Sequence, residues 1–391
     1  MDLGHPLLIP ELIDLFFWHI HTSKQDLAHC ALVTRAWTYP AQTHLFRLIR
    51  FHDAPDAWTP LLLALADSPH LVQHVRRLHI VVADDTSRSF DDALERIERI
   101  LHRSNIESIT FAYLKKVLTT RSLRALRSLL RLPSLKAVAL QCMFPSLGEF
   151  AALWSSCSTN IRHLKLVFSV KPHEKEDNSI PRPQRSTIVL ESLSSVYSTE
   201  DPAMRLLPFD VFKLKTFSAL QLRQSEARQL YVSNYASLRE LHLGIPDPDP
   251  YPRFTAPPAP LPTTQNSPVN LSAMPNLALL GLSFPTIPKT IQTAITIASS
   301  ISPDINTSLQ TIQLTPMRHL YNFMPSPVGM PEVKVLDERL SGLGIGQVLI
   351  VAEVGEVWDT WLSELPKVKA RNLLHRVDRE CDCCRGLSAR P

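Results

Sequence analysis

Three cysteines near the C-terminal end form the densest cluster of metal-ligating side chains in the sequence. Cys381, Cys383 and Cys384 lie close behind His375, which stands six residues before the first of them. Thiolates and an imidazole can hold a zinc ion. Structural zinc sites usually take their cysteines from C-x₂₋₄-C pairs separated by a loop, and C-x-C-C does not fit that spacing. We therefore expect a nonspecific tail with no bound metal, and we expect no cofactor. If a metal does bind, these four residues are the candidate ligands.

A run of alternating glycines is the second feature that resembles a chemical motif. Gly342, Gly344 and Gly346 stand before a predicted strand at 347–354, whereas a dinucleotide fingerprint follows a strand and opens a helix. The G-K-[ST] phosphate loop, the H-E-x-x-H zinc helix and the G-x-S-x-G elbow are absent from the sequence. No catalytic residue is predicted, and an enzyme with an unrecognised site stays an alternative.

The charge balance and composition of the sequence do not indicate a nucleic-acid or membrane partner. The sequence carries 41 Lys and Arg against 37 Asp and Glu, a balance too even to require nucleic acid or an anionic membrane. No apolar run reaches the ~18 residues of a membrane span, the first twenty residues lack the basic start of a signal peptide, and the 6 cysteines show no disulfide framework. We expect a cytoplasmic and/or nuclear protein with no nucleic-acid or membrane partner.

A repeated pattern organises the middle of the chain. Apolar-x-x-apolar-x-apolar units begin at 24 to 39 residue intervals. Alternate residues of a short strand point inward, and each connecting segment must return before the next parallel strand begins. The clean copies are Val75/Leu78/Ile80, Ile106/Ile109/Phe111, Leu135/Val138/Leu140, Ile161/Leu164/Leu166, Leu238/Leu241/Leu243, Leu277/Leu280/Leu282 and Leu309/Ile312/Leu314. Phe46/Ile49/Phe51 is a first copy, and Leu190/Leu193 and Leu214/Phe217 are incomplete ones.

The connecting segments carry helix signals, which together with the strands predict an α/β fold with parallel strands. Ser89 and Ser146 each precede an acidic residue at capping-box spacing. Further helices are predicted around 121–131, 225–235, 288–301 and 331–341, and a last helix at 356–365 should cover the end of the array with its tryptophans. The ninth position of the units holds no Asn or Cys, so the asparagine ladder of a regular leucine-rich repeat is not expected.

Two segments interrupt the repeats. Residues 171–186 have a single aliphatic side chain besides their prolines, which predicts an exposed loop. Residues 246–268 contain nine prolines, through which no helix can continue. The proline-rich insert is therefore predicted to be extended chain in place of one helix, either a solvated spacer or a polyproline ligand for another domain.

Three short helices are predicted before the repeats. Residues 10–21 have apolar side chains at helical spacing, Ser23 can cap a second helix, and a third should begin near Thr34 and carry Trp37. A body of three helices within some forty residues buries too little surface to be stable alone. Its remaining apolar face must pack on the rest of the chain or on a partner.

The same residues resemble a known family. The runs LIPELIDLFFWHI, DLAHCALVTRAWTYPA and HLFRLIRF are similar to the F-box at the N-terminus of many fungal proteins, with Ile9 in place of the usual proline. Asp26, Cys30 and Arg35 also match that pattern. The resemblance implies that apolar side chains here dock on a Skp-type adaptor. The residues that it assigns to this contact are Leu8, Pro10, Glu11, Leu12, Ile13, Leu15, Leu27, Leu32, Val33 and Trp37.

The resemblance implies a division of the chain and a function. Residues 5–51 would be the F-box, 52–354 an irregular leucine-rich-repeat-like solenoid, and 355–391 a helical cap with the cysteine-containing tail. The protein would be the non-catalytic substrate adaptor of a cullin–RING ubiquitin ligase, joined to cullin through the Skp-type subunit and to a protein substrate through the repeats. The alternative is an interaction scaffold that does not direct ubiquitylation.

The proline-rich insert gives a first testable prediction. Replacing residues 246–268 with a Gly/Ser linker of equal length should leave the melting temperature within a few degrees of the wild-type value. The reason is that the insert offers little apolar surface to a core, and closing a long loop costs little additional entropy. Thermal melting followed by circular dichroism measures this, and a loss of stability well beyond that range would show that the insert packs as structure.

Overall fold

The structure is a computed structural model. It describes residues 9–20, 23–52, 55–82, 87–170, 188–197, 209–219 except 212, 233–245, 271–285, 288–317 except 303 and 305, and 329–378 except 353–360 and 362. The predicted loop at 171–186, the proline-rich insert and most of the helix predicted at 225–235 lie outside the described residues, as do Leu8 and the three C-terminal cysteines.

Helices and parallel strands alternate along the described chain. The helices are α1 (Pro10–Ile20), α2 (Lys24–Val33), α3 (Arg35–Phe46), α4 (Thr59–Asp67), α5 (Pro69–Val72), α6 (Ser87–Leu101), α7 (Thr120–Leu130), α8 (Leu147–Trp154), α9 (Pro288–Ser299), α10 (Pro331–Gly342) and α11 (Pro366–Ala370). The strands are β1 (Leu48–His52), β2 (Arg77–Val82), β3 (Ser108–Val117), β4 (Ala137–Phe144), β5 (His163–Val170), β6 (Ile188–Val189), β7 (Ser192–Tyr197), β8 (Phe209–Asp210), β9 (Thr216–Ala219), β10 (Glu240–Gly244), β11 (Leu279–Pro285), β12 (Thr311–Met317), β13 (Gln347–Ala352) and β14 (Leu374–Asp378). Single 3₁₀ turns lie at Pro55–Trp58 and Leu271–Ala273. The α/β prediction with parallel strands is confirmed.

The chain divides into two compact units. The first is Met1–Ile188 with Pro202–Phe209, and the second is Val189–Asp201 with Asp210–Pro391. The division falls inside the 52–354 region that the sequence treats as one array. Within the first unit the strand order is β1-β2-β3-β4-β5, and within the second it is β7-β9-β10-β11-β12-β13-β14. The strand pairs described within each unit are parallel.

The repeat units found in the sequence align in register. The second apolar position pairs with its counterpart in the next strand, as in Leu78 with Ile109 and Leu241 with Leu280, and the third position follows it. The incomplete copies obey the same rule, because Leu193 pairs with Phe217. These apolar positions are buried, and alternate residues of each strand lie on the opposite face of the sheet.

A row of backbone carbonyls sets this register. At nine junctions of the described chain the carbonyl of the residue after the first apolar position accepts the N–H groups of two consecutive residues in the next unit. The Glu107 carbonyl, for example, accepts from Lys136 at 2.8 Å and from Ala137 at 3.0 Å. The acceptors are Arg47, Arg76, Glu107, Lys136, Glu191, Lys215, Arg239, Ala278 and Gln310.

Polar side chains just before the strands form a second link between units. Ser134 donates to the Ile106 carbonyl at 2.8 Å, Asn160 to Pro133 at 2.7 Å, and Asn276 to Ala236 at 2.8 Å. Each donor directly precedes the first apolar position of its unit. Asparagines therefore join neighbouring units at this point, not at the ninth position where a regular leucine-rich repeat would hold them.

Two buried carboxylates connect successive helices. Asp91 on α6 accepts hydrogen bonds from the hydroxyls of Thr119, at 2.8 Å, and Ser122 at the start of α7. Asp337 on α10, which is 2% exposed, accepts the N–H groups of Lys367 at 3.0 Å and Val368 at 2.9 Å in the first turn of α11. The first N–H groups of a helix have no intrahelical partners, and the Asp337 carboxylate accepts hydrogen bonds from two of them in α11.

The C-terminal end of the array differs from the sequence prediction. The strand predicted at 347–354 is described as β13, but β14 was predicted as part of a cap and tail, and it pairs with β13 instead. Arg376 occupies the register position beside Ile350, where an apolar residue would have signalled a strand. Trp361 is buried and lies 6.0 Å from the ring of Phe284 on β11. Most of the helix predicted at 356–365, including Trp358, lies outside the described residues.

The helices of the described residues are too short or too polar for any of them to cross a membrane.

Asp337 gives a prediction about stability. Changing Asp337 to Ala should lower the free energy of unfolding by about 1–3 kcal/mol, because two N–H groups of α11 lose a buried acceptor. Changing the neighbouring Glu338 to Ala, which removes only the exposed ion pair with Lys367, should leave the melting temperature unchanged. Thermal denaturation of both variants tests the difference, and equal losses would contradict the capping role.

Candidate functional site

The N-terminal helices α1, α2 and α3 are defined by local signals in the sequence. Glu11 lies in the first turn of α1, where an acidic residue favours the positive end of the helix dipole. Ser23 caps α2 and accepts a hydrogen bond from the Asp26 N–H at 3.3 Å. Thr34 separates α2 from α3, and the Thr38 hydroxyl donates to the Ala31 carbonyl at 2.9 Å. All three helices predicted before the repeats are thus described.

A small aromatic-rich core holds the three helices together. Ile13, Phe17, Leu27 and Ala41 are buried, and Trp37 packs on them while keeping part of its surface exposed. The Phe17 and Trp37 rings lie 5.7 Å apart and edge to face, a favoured geometry for aromatic pairs. This core occupies one side of α1 only.

Polar contacts connect the cluster internally and fasten it to the first unit. His44 on α3 lies 2.7 Å from the Asp14 carboxylate on α1, and the Lys24 ammonium donates to the Leu45 carbonyl. Thr43 lies 3.1 Å from His74 Nδ1 just beyond α5. Burial, together with nearby positive charge, lowers the pKa of His74. Since α3 runs into β1 after one residue, the cluster is fixed to the first strand.

The cluster also exposes large apolar side chains to solvent. Leu32 is 85% exposed, and the remaining members of this set are 43% to 68% exposed. We call the set the apolar surface. It consists of Leu12, Leu15, Phe16 and Trp18 on α1, Leu32 and Val33 at the end of α2, and Tyr39 on α3. Isolated exposed apolar residues are common, but a concentration of seven within 28 residues is typical of an interaction surface.

The residues assigned to the adaptor contact divide into two groups in the structure. Leu12, Leu15, Leu32 and Val33 belong to the apolar surface, and Glu11 is exposed beside them. Ile13 is 5% exposed and Leu27 is 0% exposed, so both form the core of the cluster and offer no surface to a partner. Trp37 is half-buried, and the side chain of Pro10 lies outside what the structure describes.

Sequence reasoning did not assign Phe16, Trp18 or Tyr39 to this surface, although all three are exposed. The available signal was the composition of α1, PELIDLFFWHI, which is apolar around most of its circumference. A helix of this kind has more apolar side chains than a three-helix body can bury, so part of them must remain at the surface.

The other chemical candidates that the structure describes do not assemble into a site. Among the described residues no group of three or more His, Cys, Asp or Glu side chains could hold a metal. His375 is exposed on β14, and the cysteines expected to join it lie outside the described residues. Gly342 ends α10 while Gly344 and Gly346 lead into β13, an order opposite to that of a dinucleotide-binding loop.

Comparisons with protein-family models and with curated proteins assign no family to this chain. No protein-family model matches the sequence, and no curated protein matches it.

The division between core and surface makes a prediction that needs no partner. Ile13→Ala or Leu27→Ala should cost about 2–5 kcal/mol of local stability because each leaves a cavity, whereas Leu15→Ala and Leu32→Ala should change it by less than about 0.5 kcal/mol. Hydrogen exchange of the α1–α3 amides measures local stability. Equal losses of protection in the two pairs of variants would show that the apolar surface is packed in solution.

Proposed function

We propose that this protein is the substrate-recognition adaptor of a cullin–RING ubiquitin ligase. In this proposal α1–α3 form an F-box that binds a Skp-type adaptor through the apolar surface, and through it cullin. The observation that carries the proposal is the apolar surface itself, on helices whose sequence resembles an F-box. The protein would act in the cytoplasm and/or the nucleus.

The energetics favour a partner on the apolar surface. Burying one Leu-sized side chain contributes roughly 1.5–3 kcal/mol, so the three exposed leucines alone contribute several kcal/mol to binding. An exposed ion pair contributes at most about 1 kcal/mol. Adaptor binding should therefore depend on the apolar side chains and only slightly on the charged residues among them.

The strand array supports the second half of the proposal. Parallel strands that follow one another in register are what a leucine-rich-repeat-like solenoid requires, and such an array presents an extended strand surface. We propose that this surface holds a protein substrate. The chain would catalyse nothing itself, and it would raise the effective concentration of the substrate near the conjugating enzyme carried by other subunits.

The decisive experiment measures adaptor binding by the full chain. The triple variant Leu12→Ala, Leu15→Ala and Leu32→Ala should weaken binding to a purified Skp-type adaptor by at least 100-fold, on the order of 3 kcal/mol or more. The matched control is Leu63→Ala with Val335→Ala. These two residues are 57% and 47% exposed on α4 and α10, so the control makes the same kind of truncation away from the apolar surface. Its affinity should equal that of the wild type.

Asp14 and Lys24 are unsuitable as controls, because both make contacts within the cluster. Asp14 contacts His44, and Lys24 donates to the Leu45 carbonyl. The exposed Gln25 and His29 on α2 can serve as polar controls. If the triple variant binds the adaptor at wild-type strength, or the wild type does not bind it, the F-box assignment fails. Recovery of the adaptor without cullin from the native cell would favour the scaffold alternative.

A further inference from the structure

The strands of the first unit have an uneven charge distribution. No Asp or Glu occurs in β1, β2, β3, β4 or β5, whereas Arg50, Arg77 and Lys165 lie in these strands. The strands of the second unit, by contrast, include Glu240 and Asp378. The uncompensated positive charge is therefore a property of the first unit.

The cations lie on the sheet face opposite the helices. In β1, β2 and β5 the buried neighbours Ile49, Leu78 and Leu164 lie on the helix-packed face, so Arg50, His79 and Lys165 lie on the other face. The strand register places five residues in one line across the strands. That line, which we call the basic row, is Arg50, His79, Thr110, Ala139 and Lys165.

The basic row has a cation at each end, Arg50 on β1 and Lys165 on β5, and small side chains on β3 and β4. Adjacent strands are about 4.8 Å apart, so the four steps from β1 to β5 span roughly 19 Å. Thr110 and Ala139 occupy the middle strands and leave the sheet surface low between His79 and Lys165. Extended chain advances about 3.3 Å per residue, so roughly six residues reach from one end of the row to the other.

His79 supplies an independent observation that points to a ligand. The side chain is 5% exposed, and its Nε2 atom has no hydrogen-bond partner among the described residues. The His52 ring lies 5.1 Å away. Burial, then the electrostatic influence of the neighbouring His52 and Arg50, lowers the pKa of His79 to about 4. A buried polar atom without a partner is costly, and an anionic ligand would both supply an acceptor and neutralise the nearby positive charge.

Arg50 perturbs a second cation. The pKa of Lys24 is lowered by burial and then by Arg50, which shows that positive charges crowd this end of the row. No carboxylate of the described residues pairs with Arg50, Arg77 or Lys165. An anionic partner would reduce the repulsion among these cations.

We infer that the basic row binds an extended acidic segment of the protein substrate, with Asp or Glu side chains about six residues apart reaching Arg50 and Lys165. The segment runs across the strands and lies over Thr110 and Ala139. That the segment belongs to a substrate rests on the proposed function, whereas the binding site itself rests only on the charges and register of the first unit.

A protein segment fits the row better than a nucleic acid. Single-stranded nucleic acid binds through stacking of its bases on aromatic side chains and through a continuous line of cations. The basic row contains no Phe, Tyr or Trp, and its three inner positions, His79, Thr110 and Ala139, are uncharged at neutral pH. Two separated carboxylate groups match cations that are placed at the ends.

The test is fluorescence anisotropy with the purified full chain and a labelled peptide that carries two Asp pairs six residues apart. Binding should weaken as salt rises. A peptide with Asn in place of Asp should not bind, and a peptide with the two Asp pairs brought to three residues apart should bind more weakly. The double variant Arg50→Gln with Lys165→Gln should lose about tenfold in affinity. The control Arg103→Gln with Arg124→Gln, which removes one exposed cation just after α6 and one in the middle of α7, should bind as the wild type does.

Four results of this assay would overturn the inference. Two concern the peptides: the Asn peptide binds, or affinity does not depend on the spacing of the Asp pairs. The other two are an equal loss of affinity in the control variant and stronger binding of an oligothymidylate that competes with the peptide. Failure here and failure of the proposed function are separable, because no adaptor is present in the assay. The Leu12, Leu15 and Leu32 triple variant should bind the peptide normally, and thermal melting checks that every variant is folded.

Discussion

The register of the strands depends on one repeated backbone interaction. At nine junctions of the described strands a single carbonyl accepts two consecutive N–H groups. The Lys136 carbonyl, for example, accepts from Arg162 at 2.7 Å and from His163 at 3.0 Å. A slip of one residue would lose both bonds and would turn every buried apolar side chain to the opposite face. Everything else in the array, from the packing of the helices to the line of residues in the basic row, requires that this alignment be kept.

The inward positions of the strands could be predicted from sequence because they follow from a period that any strand must have. The repeat pattern predicts Leu78, Ile109, Val138 and Leu164 as inward positions, and they pair in that order. The polar links could not be predicted. Their donors differ in type, as Ser134 and Asn160 do, and their acceptors are main-chain carbonyls of the preceding unit, which no side-chain pattern records.

The N-terminal cluster shows a different limit of sequence reasoning. Its helices were predicted, yet the apolar residues of α1 could not be sorted into core and surface from spacing alone. Phe16 and Phe17 are adjacent and chemically identical, but one is 43% exposed and the other is 0% exposed. The Phe16 and Phe17 rings lie 5.6 and 5.7 Å from Trp37 on α3, but Phe17 also lies 6.1 Å from the His44 ring, so its burial depends on packing among residues distant in sequence.

The variable length of the connecting segments has a consequence for how such a protein changes over time. The bonds that align the strands lie just before each strand, and the intervals between units range from 24 to 39 residues without loss of register. Insertions and deletions can therefore accumulate in the connections while the residues of the opposite face keep their spacing. The connecting segments can thus change in length while the geometry of the sheet surface stays constant. Recognition by that surface can therefore evolve by substitution of one side chain at a time.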